Sequence, residues 1–215
     1  FAGRPAQMDS ICEIAEKYDL VIIEDACHAI GTIYNERRVG GHGRMAAFSF
    51  HPNKNMTTGE GGMLCLDRSL VDRAKQMRFH GISRDSFKRF KGKDLPYYET
   101  VFPSIKMNLT DLASSIGLCQ LQKVDLFNEK RTNIAKEYIR QLEPLKDLIF
   151  IPSINCDGGK HSWHLFNICV KDEDGLRDKV ILDLMNCGIR TGLHYLPVHL
   201  MKGMNDIVDG VTLTE

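Results

Sequence analysis

Hydrophobic residues along the first half of the chain alternate between helical spacing and short continuous runs. Helical spacing predicts a helix over residues 7–19, and the apolar run 20–23 follows it directly. A continuous apolar run of this length is typical of a buried strand in a parallel sheet. The same criteria predict two further strands, over 45–50 and 63–66, and a helix over 70–79. This alternation predicts an α/β protein.

A long amphipathic helix is predicted to open the second half of the chain. Thr110 is a suitable cap for its first turn, and apolar residues recur at helical spacing almost to Leu142. The polar residues 83–100 that precede this helix show no clear periodicity and predict a loop-like insertion. The predicted apolar face of the helix consists of Leu112, Ile116, Leu118, Leu121, Val124 and Phe127.

Proline residues after the long helix predict a domain boundary near residue 145. Pro144 interrupts the helix, and Pro152 marks the entry into a region with its own strand. We therefore expect a larger domain over residues 1–145 and a smaller α/β domain over residues 146–215. The elements predicted for the smaller domain are a strand over 165–170, a helix over 177–187 that Gly188 ends, and a strand followed by a loop over 189–199.

Charge and composition restrict the classes of partner. Lys and Arg total 28, as do Asp and Glu, so no net field attracts nucleic acid or an anionic membrane. No apolar run approaches the ~20 residues that a membrane-spanning helix needs. The seven cysteines are scattered without a Cys-x-x-Cys pair, and the eight histidines lack a metal-binding spacing. We expect a cytoplasmic protein with reduced thiols that binds small molecules, with no metal, nucleic acid or membrane partner.

One lysine lies on a predicted turn between an apolar run and a glycine-rich segment. Pro52 and Asn53 favour a turn that carries Lys54 away from the end of a strand. Asp25 follows the apolar run 20–23, at the carboxyl end of a predicted strand, where ligands bind in α/β sheets. A lysine that forms a Schiff base and an aspartate that holds a pyridinium nitrogen are the pair that pyridoxal phosphate (PLP) chemistry requires. Taken alone, Lys54 also fits a solvated lysine, and Asp25 fits a helix cap or a salt bridge.

Three blocks of the sequence carry a family resemblance. The resemblance is to the DegT/DnrJ/StrS family of PLP-dependent sugar aminotransferases. It lies in the composition, order and spacing of residues 24–31, 49–62 and 106–111. Residues 79–85 and 194–199 are also similar to segments of this family, so the resemblance covers nearly the whole chain. It implies a fold-type-I PLP-dependent transferase, with a mostly parallel large domain and a small α/β C-terminal domain, both of them partial.

The resemblance implies roles for individual residues. Lys54 is expected to form the internal aldimine, Asp25 to hold the pyridinium nitrogen, and His28 to contact the cofactor ring or its phenolic oxygen. Ser49 is expected to contact the phosphate. Asn108 is expected to reach the phosphate held by the neighbouring subunit, which implies a homodimer with shared active sites. Seen alone, Ser49 fits a local hydrogen bond, and His28 and Asn108 fit surface or capping roles. Candidate substrate-binding residues are His80, Arg84, His194, Tyr195 and His199.

The implied reaction is transfer of an amino group from an amino acid, with glutamate as the expected donor, to the keto sugar of a nucleotide-sugar. The family's N-terminal helices and strands, its phosphate-binding turn and the end of its small domain have no counterpart here. We therefore expect part of a longer enzyme that is inactive alone. The alternatives are a PLP-dependent sugar dehydratase, although such relatives carry histidine in place of Lys54, and a non-catalytic binding or regulatory protein. A nicotinamide-dependent enzyme would need a Gly-x-Gly-x-x-Gly segment after a strand, which the sequence lacks.

Overall fold

The chain separates into two compact units in the computed structural model, which describes residues 1–42, 45–82, 99–156, 158–171 and 175–204. The first unit comprises Phe1–Asp147 and Ile151–Ile168, and the second comprises Leu148–Phe150 and Cys169–Glu215. The segment Ile151–Ile168 belongs to the first unit because its backbone pairs with the start of the chain. Ser162 N donates to Gly3 O at 3.1 Å, and Leu165 N donates to Ala2 O at 3.2 Å. The boundary near residue 145 stays a prediction for the whole protein.

The first unit contains a three-stranded sheet with the strand order β1 (Ile23–Asp25), β4 (Met45–Ser49) and β5 (Gly62–Leu66). Strands β1 and β4 are parallel, with Asp25 opposite Ala47. Strands β4 and β5 are antiparallel, with Ser49 opposite Gly62. The helices and strands of this unit are α1 (Met8–Lys17), β1 (Ile23–Asp25), β2 (Ile33–Tyr34), β3 (Arg37–Arg38), β4 (Met45–Ser49), β5 (Gly62–Leu66), α2 (Val71–Met77), α3 (Asp111–Leu121) and α4 (Val124–Leu142).

The prediction that the apolar run 20–23 is a buried strand is wrong. Strand β1 begins only at Ile23, and the side chains of Leu20 and Val21 before it are 59% and 53% exposed. Because β1 lies at the edge of the sheet and pairs with β4 alone, few described residues cover the run that leads into it. The runs at 45–50 and 63–66 do form strands β4 and β5, as predicted. The predicted burial of the second run is wrong, because Met63 and Leu64 on β5 are 52% and 50% exposed.

The predicted long helix is two helices, α3 and α4, separated at Gln122 and Lys123. The predicted cap is confirmed, because Thr110 Oγ1 accepts a hydrogen bond from Ala113 N at 3.2 Å. The predicted burial of α3 is wrong, since Leu112 is 81% exposed and the buried residue of this helix is Gly117. A Cβ at Gly117 would lie 3.0 Å from Thr58 Cγ2. Helix α3 therefore contacts the segment around Thr58 through its glycine rather than through its leucines.

A small apolar core connects the sheet to α4. It consists of Phe50, Met56 and Val124, with Ile30 and Phe48 packed against them. Beside this core, Gly31 adopts φ +78°, and a Cβ there would overlap the side chains of Asn128 and Val124 on α4. The absence of a side chain at this glycine therefore lets the loop after β1 lie directly on α4.

A buried polar network extends this core. The largest side chains with almost no exposure are Asn128, Thr32 and Ser162, all of them polar. Asn55 Nδ2 donates to Asn128 Oδ1 and to Ser162 O, both at 2.7 Å. Asn128 Nδ2 donates in turn to Ile30 O at 3.0 Å. Because each bond satisfies a group that burial removes from water, the network joins α4 to three separate segments of the chain.

Among its described residues, the second unit contains one pair of short strands and one α-helix. Strands β6 (Ile149–Phe150) and β7 (Cys169–Val170) are antiparallel, and helix α5 spans Leu176–Asn186. The predicted helix over 177–187 is confirmed within one residue at each end, and Gly188 follows with φ +78°. The strand predicted over 165–170 is limited to β7, and residues 189–199 form a short 3-10 turn at Val198–Leu200 instead of a strand. None of the helices within the described residues is both long and apolar enough to span a bilayer.

Replacing Asn128 by Ala should strongly destabilise the protein, because the change leaves a buried donor on Asn55 and the carbonyl of Ile30 without partners. We expect a loss of about 2–4 kcal/mol in the free energy of unfolding, measured by urea denaturation of the full-length protein. Asn133→Ala is the matched control, since Asn133 is an exposed residue of the same helix. Equal stabilities of the two variants would contradict a stabilising role for the network.

Candidate active site

The carboxyl ends of β1 and β4 bring two of the sequence-predicted residues to one edge of the sheet. Asp25 is the last residue of β1, and Ser49 is the last residue of β4. Parallel pairing continues past the end of β1, because Ala26 N donates to Ala47 O at 2.9 Å. Asp25 and Ser49 therefore lie at the carboxyl ends of neighbouring parallel strands, where α/β proteins bind their ligands.

Asp25 is held in its ionised form by its neighbours. Its Oδ1 accepts a hydrogen bond from Cys27 N at 3.1 Å. Hydrogen bonding by Cys27 lowers the pKa of Asp25 below its usual value. Because a carboxylate stabilises an adjacent positive charge, this side chain suits a protonated pyridine nitrogen.

Lys54 lies on a hydrogen-bonded turn that begins at the end of β4. Lys54 N donates to His51 O at 3.0 Å, and His51 N donates to Ser49 Oγ at 3.4 Å. The turn closes where Phe50 N donates to Gly61 O at 2.9 Å. These hydrogen bonds connect the backbone of Lys54, through His51, to the hydroxyl of Ser49. The side chain of Lys54 is half-buried.

Cys27 connects Asp25 with Lys54 electrostatically. Burial, followed by the hydrogen bond and charge of Asp25, raises the pKa of Cys27 to about 11, and the positive charge of Lys54 acts in the opposite direction. Asp25 and Lys54 therefore both influence the pKa of the same thiol, and their roles as site residues stay predictions. Our sequence interpretation assigned no role to Cys27, although its position two residues after Asp25 was available as a signal.

The hydrogen bonds of His28 determine which of its ring nitrogens is a donor. Its Nδ1 accepts a hydrogen bond from Ala2 N at 3.2 Å. The neutral ring therefore carries its proton on Nε2, which makes this nitrogen a donor that suits the phenolic oxygen of PLP. The ring of His28 lies 4.4 Å from the ring of His164, a buried residue that the sequence interpretation did not include in the site.

Asn108 lies beside the exit of the lysine turn of its own chain. A Cβ at Gly61, where φ is +138°, would lie 2.5 Å from Cδ1 of Leu109, so the two segments are in direct contact. Asn108 Nδ2 donates to Leu109 O at 3.4 Å, whereas its buried Oδ1 has no hydrogen-bond partner among the described residues. The expected contact of Asn108 with a partner subunit's cofactor stays a prediction.

The candidate substrate residues lie in separate parts of the chain. His80 is an exposed residue of the first unit, and its N–H donates to Ile105 O at 3.1 Å. His194, Tyr195 and His199 are exposed residues of the second unit, in which the rings of His194 and Tyr195 lie 4.5 Å apart. Arg84 lies outside the described residues. The roles of these residues stay predictions.

The chemistry of these side chains fits PLP. The cofactor carries a basic ring nitrogen, a phenolic oxygen, a phosphate and an aldehyde. The edge of the sheet supplies an ionised aspartate, a histidine N–H donor, the hydroxyl of Ser49 and the amine of Lys54, one group for each part of the cofactor. Among the described residues, no group of three or more His, Cys, Asp or Glu side chains could hold a metal ion.

Comparison with known proteins gives the same class. The profile of the DegT/DnrJ/EryC1/StrS aminotransferase family matches residues 1–212. Protein MJ1066 of Methanocaldococcus jannaschii is 42% identical over 204 residues, which are 93% of this chain and 52% of that protein.

Solved structures are similar over almost the whole chain. Spr1654 from Streptococcus pneumoniae, in its PMP form, is 25% identical with a TM-score of 0.85, covering 96% of this chain and 57% of that one. PseC from Helicobacter pylori, an aminotransferase involved in the biosynthesis of pseudoaminic acid, is 27% identical with a TM-score of 0.81, covering 100% of this chain and 56% of that one. The chain thus spans about half the length of the relatives that it matches.

The fold is that of the fold-type-I PLP-dependent aminotransferases. The chain belongs to the DegT/DnrJ/EryC1/StrS aminotransferase family, whose aminotransferases depend on PLP. The family, the fold class and the cofactor predicted from the sequence are therefore confirmed.

The contact between Asp25 and Cys27 can be tested by alkylation. With a pKa of about 11, roughly one Cys27 thiol in a thousand is ionised at pH 8, so alkylation should be slow. Asp25→Asn removes the negative charge that helps to raise this pKa and leaves a weaker, neutral acceptor, so the rate at Cys27 should increase by about 3-fold or more. Asp19→Asn is the control, and peptide mass spectrometry after iodoacetamide treatment measures each cysteine. Equal rates at Cys27 in both variants would contradict the contact.

Proposed function

We propose that the protein containing this chain is a PLP-dependent sugar aminotransferase that transfers an amino group from an amino acid to the keto sugar of a nucleotide-sugar. The observation that carries this proposal is the position of Asp25 at the end of β1 and of Lys54 on the turn that begins at the end of β4, the strand that pairs in parallel with β1. Membership of an aminotransferase family supports the reaction class, and the similarity to Spr1654, described as a sugar aminotransferase, supports the substrate class. We propose glutamate as the amino donor.

The proposed site assigns one group to each part of the cofactor. When bound, PLP supplies an electron sink for the carbanion that forms when an amine loses its α-proton. Asp25, as a carboxylate, would hold the protonated ring nitrogen. His28 Nε2 would donate to the phenolic oxygen, and Ser49 Oγ–H would donate to the phosphate, since its oxygen already accepts from His51 N.

Lys54 is the proposed catalytic residue. As a nucleophile, its Nζ would hold the aldehyde carbon of PLP, with loss of water. Once the amino group of the donor has displaced it from that carbon, the free amine would act as a general base that takes the α-proton of the donor and returns it to the cofactor. An amine can act both as a nucleophile and as a base, because its nitrogen lone pair can bond either to carbon or to a proton. Retention of lysine at this position supports amination over the dehydratase alternative, whose relatives carry histidine there.

We further propose a homodimer in which Asn108 completes the neighbouring site. The buried Asn108 Oδ1 without a partner among the described residues, and the exposed leucines of α3 that follow it, support a second chain at this surface. The candidate substrate residues His80, Arg84, His194, Tyr195 and His199 remain part of the proposal. A cytoplasmic location is also proposed, and the seven free cysteines support it.

Replacing Lys54 by Ala in the full-length protein should abolish the visible absorbance of the lysine-bound cofactor and lower kcat by at least ~10²–10⁴-fold, because nucleophile and base are lost together. Thermal unfolding of the apo-protein should change little, since Lys54 is only half-buried. Lys75→Ala, an exposed residue of α2, is the control. Turnover with glutamate and a nucleotide-linked keto sugar in Lys54→Ala would refute the assignment.

Subunit mixing tests the shared site. Asn108→Asp places a negative charge against the cofactor phosphate, so its homodimer should bind PLP at least ~10-fold more weakly than wild type. Mixing Asn108→Asp subunits with Lys54→Ala subunits should restore part of the activity, because each heterodimer carries one intact site. Asn133→Asp on the exposed face of α4 controls for the added charge. Unchanged PLP affinity together with no restored activity would rule out the shared site.

A further inference from the structure

The two asparagines that flank Lys54 lie in opposite environments. Asn53 is exposed, and its Oδ1 lies 2.8 Å from Nδ1 of His51 within the turn. Asn55 is only 4% exposed and is a member of the polar network that joins the turn to α4. A buried amide so close to the catalytic residue must satisfy its hydrogen bonds within the protein, and its partners therefore constrain the turn.

Asn55 uses both ends of its amide. Its Nδ2 donates to Asn128 Oδ1 and Ser162 O, both at 2.7 Å. Its Oδ1 lies 3.3 Å from His164 Nδ1. Because both Nδ2 hydrogens are engaged with oxygens, Oδ1 is the acceptor in the third contact, and His164 Nδ1 is the donor. The orientation of the Asn55 side chain is thereby defined.

The partners of Asn55 lead directly to His28. The ring of His164 lies against the ring of His28, with centroids 4.4 Å apart. Ser162 contacts the same residue through its hydroxyl, which donates to His28 O at 3.2 Å. His28 is thus held at its ring and at its backbone by two residues that both hydrogen bond to Asn55.

Helix α4 provides the rigid support for this arrangement. Asn128 has no exposed surface, and its amide accepts from Asn55 while donating to Ile30 O at 3.0 Å. Ile30 lies two residues after His28, so one side chain of a 19-residue helix anchors both the lysine turn and the segment that carries the histidine.

We propose that Asn55 is a positioning residue that sets Lys54 and His28 relative to each other, through Asn128 on one side and His164 with Ser162 on the other. This inference rests on the proposed function, in which Lys54 and His28 contact the same cofactor. Small displacements of such groups matter, since a shift of about 1 Å can reduce a reaction rate by ~10²-fold.

Asn55→Asp is the most selective change, because it keeps the size of the side chain and removes both donors. The new carboxylate would face the oxygens of Asn128 and Ser162, and rotation of the Asn128 amide would only move the conflict to Ile30 O. Asn53→Asp is the matched control. It introduces the same charge at the same distance in sequence from Lys54, but on an exposed residue outside the network.

The experiment uses the full-length protein with added PLP and three measurements: the Kd of PLP, the visible circular dichroism per bound PLP, and thermal unfolding. For Asn55→Asp we expect the Kd to rise by at least ~10-fold and the circular dichroism to change, because its sign and amplitude depend on the orientation of the cofactor. For Asn53→Asp we expect both to stay within about 2-fold of wild type.

The outcomes separate a positioning role from a stabilising one. If Asn55→Asp lowers only the thermal stability and keeps the wild-type Kd and circular dichroism per bound PLP, the inference is overturned. If Asn55→Asp does not fold, the neutral Asn55→Ser decides in its place, with an expected rise in Kd of about 3-fold or more, and wild-type values there overturn the inference. Failure of the wild-type protein itself to bind PLP would instead reject the proposed function.

Discussion

The requirement that buried amides be hydrogen bonded organises the first unit. Asn55 and Asn128 are almost inaccessible to water, so each must find partners inside the protein. Their bonds connect the lysine turn, helix α4, the loop after β1 and the segment around Ser162, which are distant in sequence. The apolar core beside them is small, and the polar network therefore carries much of the specificity of the fold.

The pairing of β1 with β4 determines which charged groups lie near Asp25. Parallel pairing of β1 with β4 places Asp25 near the turn that carries Lys54, and Cys27 lies within the influence of both. Donors from Cys27 keep the pKa of Asp25 low, while burial and the same carboxylate keep the pKa of Cys27 high. The carboxyl ends of β1 and β4 thus present an ionised carboxylate, and the turn after β4 presents an amine, two groups that suit a ligand with a basic nitrogen and an aldehyde.

The first unit also exposes several large apolar side chains that are not part of its core. Leu112 and Leu118 on α3 are 81% and 67% exposed, and Met63 and Leu64 on β5 are 52% and 50% exposed. Contiguous exposed apolar residues indicate surfaces for contact with other protein segments. This chain spans about half the length of its relatives, and the proposed homodimer gives one partner for the surface of α3.

The sequence by itself determined the positions of β4 and β5, the helix cap at Thr110 and helix α5, because local periodicity and capping chemistry are properties of short segments. It could not determine that α3 approaches the chain through Gly117 rather than through Leu112, since helical spacing identifies apolar residues but not what covers them. Only the tertiary structure connected Asn55 with His28 through His164, because these contacts join residues more than 100 positions apart. Burial and hydrogen bonding between distant segments depend on packing in three dimensions, which no local pattern encodes.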